Sequence, residues 1–333
     1  MSMPDVPLFV KTSARPIWRP GGRTHSGAMG HRIDVKRHYP QHTETAVRSG
    51  DWGIMSYRFA LRSKHGLRAL LPASLVLVIV ASGAFAQRSQ RTLPANVDAV
   101  YRISFTGLGN VGHFHFTSNV NGEAYTLAAD AKIDTAIFDY KGNMGGSGTV
   151  PANTPRPAGY AFEYRQKTFL KKKKIRSLQI AFDGPAVSKV TFVPPDDPSP
   201  KAIPVTPEQL KNVLDPLSGV MAVSLADLAK PCALKLPIYE GKQRFDIVFA
   251  PLRRAGADHV CSVRLIPISG HKPGEGSASV ISGTIEIVMR PVPKANIVIP
   301  YSVSVPTIIG TATLVSERVD ITMPDQQRIA LRR

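Results

Sequence analysis

Between Val97 and Ile321 the chain is written in short segments whose apolar residues recur at every second position, and this period limits what it can become. In Tyr101-Arg102-Ile103-Ser104-Phe105, the residues Tyr101, Ile103 and Phe105 share one face of an extended strand. In the next segment Phe114 and Phe116 oppose His113 and His115. Further strands are predicted at Glu123–Ile133, Tyr160–Leu170, Ile175–Phe182, Val187–Val193, Ala233–Tyr239, Arg244–Ala250, Val260–Ile266, Ser279–Met289, Ile297–Val305 and Thr311–Ile321. Gly, Pro or Asn separates these runs, in keeping with 26 Gly and 28 Pro. Short alternating strands at such spacing predict a mainly β protein, an antiparallel open or half-closed barrel or sandwich.

One interval departs from the pattern. Thr206-Pro207-Glu208-Gln209 reads as an N-cap, a helix-initiating Pro and a capping-box Gln, and Asp215-Pro216 repeats the cap-and-Pro device. A short helical insertion is therefore expected over 206–229, its second helix covering Leu217–Ala229 with Leu217, Val220, Met221, Ser224, Leu225 and Leu228 on one face. The stiff, polar run Pro194–Pro200 before it separates an N-terminal meander, about 97–193, from a C-terminal β half, about 233–322.

Upstream, Arg58, Arg62, Lys64 and Arg68 form a basic region without acids, followed by the uncharged stretch Ala69–Ala86 that ends Ala84-Phe85-Ala86. This is the layout of a signal-peptide helix with a small-x-small cleavage site between Ala86 and Gln87. Retention as an inner-membrane anchor facing the periplasm is the alternative, because the apolar stretch approaches the length that crosses a bilayer. Residues 1–54 lack periodicity and are rich in Arg, His, Pro and Gly; they read as a disordered basic extension, and Met55 reads as the natural start. The formal charge of +18 is partly theirs, so the β-rich part, 87–333, is only moderately basic. Export also argues against a nucleic-acid partner.

Cys232 and Cys261 are the only cysteines, and both lie on the exported side of the signal segment. One structural disulfide is the expectation; a redox pair is disfavoured because there is no Cys-x-x-Cys spacing. His113 and His115 on one strand face can bind a metal only if further ligands converge, and none is predicted nearby, so no metal and no cofactor are assigned. No catalytic residue is assigned either. Neither Ser218-Gly219 nor Ser269-Gly270 sits in a nucleophile elbow, and Gly145-Gly146-Ser147-Gly148 lacks the Lys and following helix of a phosphate loop. Lys171-Lys172-Lys173-Lys174 is the densest charge of the mature chain; it reads either as a contact for an anionic membrane surface or as a solvated turn that protects an edge strand.

Several of these segments together resemble a family of exported proteobacterial proteins, domain of unknown function 3108. They are Tyr101–Leu108 with Gly112, Leu214-Asp215-Pro216-Leu217, Pro231-Cys232, Tyr239–Asp246, Val260–His271, and the closing Ile299-Pro300-Tyr301 with Gly310. The family more often shows Phe-Asp-Gly-Arg-Arg-Arg where this chain has Tyr239-Glu240-Gly241-Lys242-Gln243-Arg244. The resemblance implies a β-rich periplasmic protein and carries no activity with it.

The expected function is that of a non-enzymatic envelope protein that binds an apolar or lipid-like component in a concave β face, with Tyr101, Ile103, Phe105, Phe114 and Phe116 as the candidate lining. A structural or interaction module of the envelope is the alternative, and a metal-dependent hydrolase the third reading. A roomy cavity would favour the first, a filled core the second, and convergence of His113 and His115 with an acid the third.

Overall fold

A computed structural model describes residues 91–196, 199–273 and 280–333. The predicted signal segment, the Ala86-Gln87 site, the basic extension and Ser279 lie outside the described residues. The strands are β1 (Asn96–Phe105), β2 (Gly109–Asn121), β3 (Ala124–Asp134), β4 (Phe138–Thr149), β5 (Arg156–Thr168), β6 (Lys174–Asp183) and β7 (Ala186–Val193). After helix α1 (Pro216–Ser224) come β8 (Lys235–Tyr239), β9 (Arg244–Ala255), β10 (Asp258–Ser269), β11 (Ile285–Val292), β12 (Ile297–Thr307), β13 (Gly310–Thr322) and β14 (Arg328–Arg332). They form one sheet in the order β7-β6-β5-β4-β3-β2-β1-β13-β12-β11-β10-β9-β8, with β14 added beside β13. Each of the two expected halves is thus a meander of hairpins, and the pairing of β1 with β13 joins them into a single surface.

The sheet is not closed strand to strand. Its edges are β7 and β8, and the stretch 211–214 reaches both: Asn212 N–H donates to the Pro185 carbonyl at 2.7 Å, Leu214 N–H to that of Pro237 at 2.8 Å, and Tyr239 N–H to that of Leu214 at 2.9 Å. The turn between β8 and β9 also leans on β6. Gly241 has φ +102° there, and a side chain on it would strike Leu178, so glycine is required twice over.

Alternation of burial follows the predicted period. Ala99, Tyr101 and Ile103 on β1, Phe114 and Phe116 on β2, and Tyr125, Leu127, Ala129 and Ala131 on β3 all point inward and are buried. Helix α1 packs against the inner face of the sheet, touching β3, β4 and β5 and also β8 and β12. Leu217, Ser218, Gly219, Met221, Ala222 and Val223 are all buried, so the helix is covered nearly all round rather than along one stripe.

Three differences from the sequence reading have physical causes. The capped turn at Thr206 forms, with Thr206 N–H donating to Gln209 Oε1 at 3.1 Å, but gives only a 3-10 turn, Pro207–Leu210. Asn212, at φ +55°, breaks it so that 211–214 can bridge the sheet edges. The second helix ends at Ser224 rather than Ala229, where Arg91 Nη1 donates to the carbonyls of Leu225 and Ala226. Strand β4 has no counterpart among the expected strands because glycines at 142, 145, 146 and 148 hide its period. A side chain at Gly148 would run into the Arg156 carbonyl and the Tyr125 hydroxyl, at a bulge in the β4–β5 ladder.

Leu217, fully buried in the plug, sets a measurable scale. Leu217→Ala is expected to cost about 2–5 kcal/mol in urea unfolding, and exposed Leu252→Ala on β9 less than about 0.5 kcal/mol. Equal losses would show that α1 is not part of the cooperative core.

Candidate functional site

The N-terminus of α1 holds a buried polar chain. Asp215 Oδ1 accepts from Leu217 N–H at 2.9 Å and Ser218 N–H at 3.1 Å, Ser218 Oγ donates to Asp215 Oδ2 at 2.5 Å, and Tyr125 donates to Ser218 Oγ at 2.7 Å. These bonds cap the helix from within the barrel. Ser218 is consumed by them and has no access to solvent, so the trio is a structural joint between β3 and α1. Burial pushes Asp215 from its ordinary 3.8 up to about 6, against the bonds from Ser218 and the backbone that favour its charge. Burial likewise raises Glu240, which accepts from Gln243 N–H at 2.7 Å in the β8–β9 turn.

The concave face predicted as a ligand lining is brought together as expected: Tyr101, Ile103, Phe114 and Phe116 are buried side by side, and Tyr101 and Phe114 lie 5.9 Å apart between ring centroids. Phe105, at the end of β1, is only half-buried. Met221 of α1 and Leu225 just after it stand opposite Phe116 and Val97 at one part of this face, and the gap between them has a volume of about 30 Å³. That is the room of roughly one water molecule, far below the 300–1,000 Å³ of a typical ligand pocket.

Cys232 and Cys261 are joined, with Cα atoms 5.4 Å apart, and both are buried. The bridge passes over β9, tying the approach to β8 onto β10. Further along β9, Asp246 is buried and holds Lys235 at 2.8 Å and Arg244 at 2.6 Å. Burial alone would raise its carboxyl, but the two cations outweigh that and hold it below the usual range. The Tyr239–Asp246 segment is therefore a packed joint: Tyr239 donates to the Gly241 carbonyl at 2.6 Å while Gly241 lies against Leu178.

His113 and His115 meet more acids than the sequence led one to expect. The His115 ring lies between Asp130 on β3, at 3.2 Å from Nδ1, and Asp98 on β1, at 3.1 Å from Nε2. His113 Nε2 is 3.9 Å from Asp130. Cross-strand register creates this cluster, and nothing in the local pattern of any single strand announces it. Arg318 holds Asp98 at 2.8 Å, and among the described residues no three His, Cys, Asp or Glu side chains stand close enough to hold a metal ion. His113 also borders an open polar depression of about 570 Å³ with Arg102, Lys132, Asp134 and Glu317.

Lys171, Lys172 and Lys173 are exposed at the turn between β5 and β6, and Lys174 begins β6. β6 pairs with β5 from Lys174 but with β7 only from Ser177, so the run stands beside a short stretch of open edge.

The fold and its contents define a half-closed antiparallel β-barrel plugged by its own helix. Residues 100–255 match the family described as Protein of unknown function (DUF3108), which bears out the resemblance read from the sequence over that stretch. Among solved structures the chain is similar to the beta-barrel-like protein of domain of unknown function DUF1849 from Brucella abortus. The TM-score is 0.41 and the identity 10%, over 69% of this chain and 99% of that one. No curated protein matches. No helix among the described residues is long and apolar enough to cross a membrane.

Two outcomes follow from these joints. Asp215, whose folded pKa is raised, binds its proton more tightly in the folded state, so its contribution is full below about pH 4 and is lost as pH rises through about 6. A fall on the order of 3 kcal/mol is expected across that window, with Glu240 adding to it in the same direction. Asp215→Asn, which keeps the cap acceptor, should flatten the slope of urea stability against pH; an unchanged slope would exclude Asp215 as its source. Replacing both cysteines by Ala should cost about 3–4 kcal/mol on the chain-entropy estimate for so long a loop, read as a shift in the urea midpoint.

Proposed function

We propose that this chain is an exported protein of the cell envelope that acts as a structural or interaction module, meeting its partner on its outer surface rather than enclosing a ligand. The observation that carries this reading is the packing of α1 against β3, β4, β5, β8 and β12, with only about 30 Å³ left beside Phe116. The buried Cys232–Cys261 bridge supports an oxidising compartment. The basic, then apolar, then Ala84-Phe85-Ala86 sequence supports export. A hydrolase receives less support: the polar chain at Ser218 is sealed, and the carboxylates beside His115 also serve the cross-strand ladder.

Native mass spectrometry of protein purified from the periplasmic fraction tests this. The expected mass is that of a chain beginning at Gln87 with its cysteines oxidised and no adduct. A co-purified lipid retained through Phe116 would overturn the surface reading in favour of an interior site. Reduced thiols on a chain retained in the cytosol would overturn export.

A further inference from the structure

In an antiparallel meander successive turns alternate between the two ends of the barrel. The exposed large apolar side chains do not alternate with them. Leu108 lies in the β1–β2 turn, Ile137 in the β3–β4 turn, Phe169 and Leu170 in the β5–β6 turn, and Ile308 and Ile309 in the β12–β13 turn. The strand order makes these four turns neighbours along one rim. At about 4.8 Å between strands they span roughly 30 Å of it. Val193, also exposed, ends β7 at the same rim. Among the described residues the turns of the other end, at 122–123, 150–155, 184–185, 256–257, 293–296 and 323–327, expose no large apolar side chain.

The rim is built, not frayed. Phe169 N–H donates to the Ile137 carbonyl at 2.8 Å, and Thr106 N–H to that of Thr311 at 3.0 Å, so neighbouring tips are tied in pairs. Leu170 is 91% exposed and has φ +62°, a conformation in which Gly or Asn would cost less. An apolar side chain held in a costly backbone state in open water points to a use outside the fold. Directly after it come Lys171, Lys172 and Lys173, exposed and with no acid in the turn; of the acids on the next tip, Asp134 is paired with Lys132 at 3.0 Å and Asp139 is half-buried.

Separate apolar tips along one rim, with lysines beside them, complement a deformable surface that is apolar beneath and negative on top. We propose that this end of the barrel docks on a bilayer surface carrying anionic lipids. Leu108, Ile137, Phe169, Leu170, Ile308 and Ile309 enter the interfacial region, while Lys171, Lys172 and Lys173 meet the headgroups. The proposal rests on the surface-module reading and names its partner.

Co-sedimentation of the exported protein with phosphatidylcholine vesicles, with and without phosphatidylglycerol, tests it. Binding is expected to the anionic vesicles and to weaken with salt. The triple variant Lys171→Gln, Lys172→Gln, Lys173→Gln should lose on the order of a hundredfold in partitioning. Phe169→Ser with Leu170→Ser, and separately Ile308→Ser with Ile309→Ser, should each lose about tenfold or more. Leu252→Ser, an exposed apolar site on β9 away from the rim, should leave partitioning unchanged, and thermal unfolding of each variant shows whether it is folded. No sedimentation with anionic vesicles, or equal binding by the rim variants, overturns the proposal. So does self-association of the parent protein that the rim variants abolish without any vesicle binding. A failure here beside an adduct-free native mass removes only the bilayer, whereas lipid held inside the barrel removes the surface reading itself.

Discussion

Everything in this molecule depends on the pairing of β1 with β13. Each half of the chain folds onto itself through hairpins between neighbours in sequence, and neither half encloses an interior alone. The register from Asn96↔Thr322 to Phe105↔Ala312 brings together segments more than two hundred residues apart. Such a contact carries a loop-closure cost that local hairpins avoid. It is recovered because the seam places the apolar faces of both halves around one space, with Val319 and Ile321 of β13 in the same core as Ala99, Tyr101 and Ile103 of β1.

Joining the halves creates the need for α1. A curved sheet of thirteen consecutive strands encloses more volume than its own inward side chains fill, and an empty apolar interior forfeits dispersion contacts. The nine-residue helix supplies the missing atoms, but it brings unpaired N–H and C=O groups into the core. Asp215 answers the N-terminus and Arg91 reaches the C-terminal carbonyls, so opposite charges meet the two ends of the helix dipole. Two of the segments behind the family resemblance, Leu214–Leu217 and Tyr239–Asp246, are the bridge, cap and turn that hold this plug and the sheet edges.

The strands and their inward faces were legible because a period of two survives in nearly every segment. Tyr101, Ile103, Phe114 and Phe116 share a face whatever the topology, and Cys232 with Cys261 leaves one pairing. Illegible were features set by distant partners. The glycines of β4 carry no period, and at Gly148 the choice is set by what approaches it, the Arg156 carbonyl and the Tyr125 hydroxyl. The strong capping box at Thr206 yields only a single turn, because Asn212 and Leu214 are needed as a bridge between β7 and β8. The acids around His115 depend on register, which is fixed only when β1, β2 and β3 pair.

That register also explains the histidines. On the outer face a chain of opposite charges crosses the seam, from Arg332 to Asp320 at 2.5 Å, Arg318 to Asp320 at 3.5 Å, Arg318 to Asp98 at 2.8 Å, and on through His115 to Asp130 and His113. Exposed pairs of this kind add little stability singly. Their value lies in position: a slip of one residue between β1 and β13 would turn Asp98 inward and set Val97 and Ala99 outside, so the ladder and the core reject the same errors. His113 and His115 sit at the far end of this ladder, where Asp130 stands between their rings. Their placement follows from alignment of the seam, and this leaves the rim above them as the part of the surface whose chemistry the fold does not itself require.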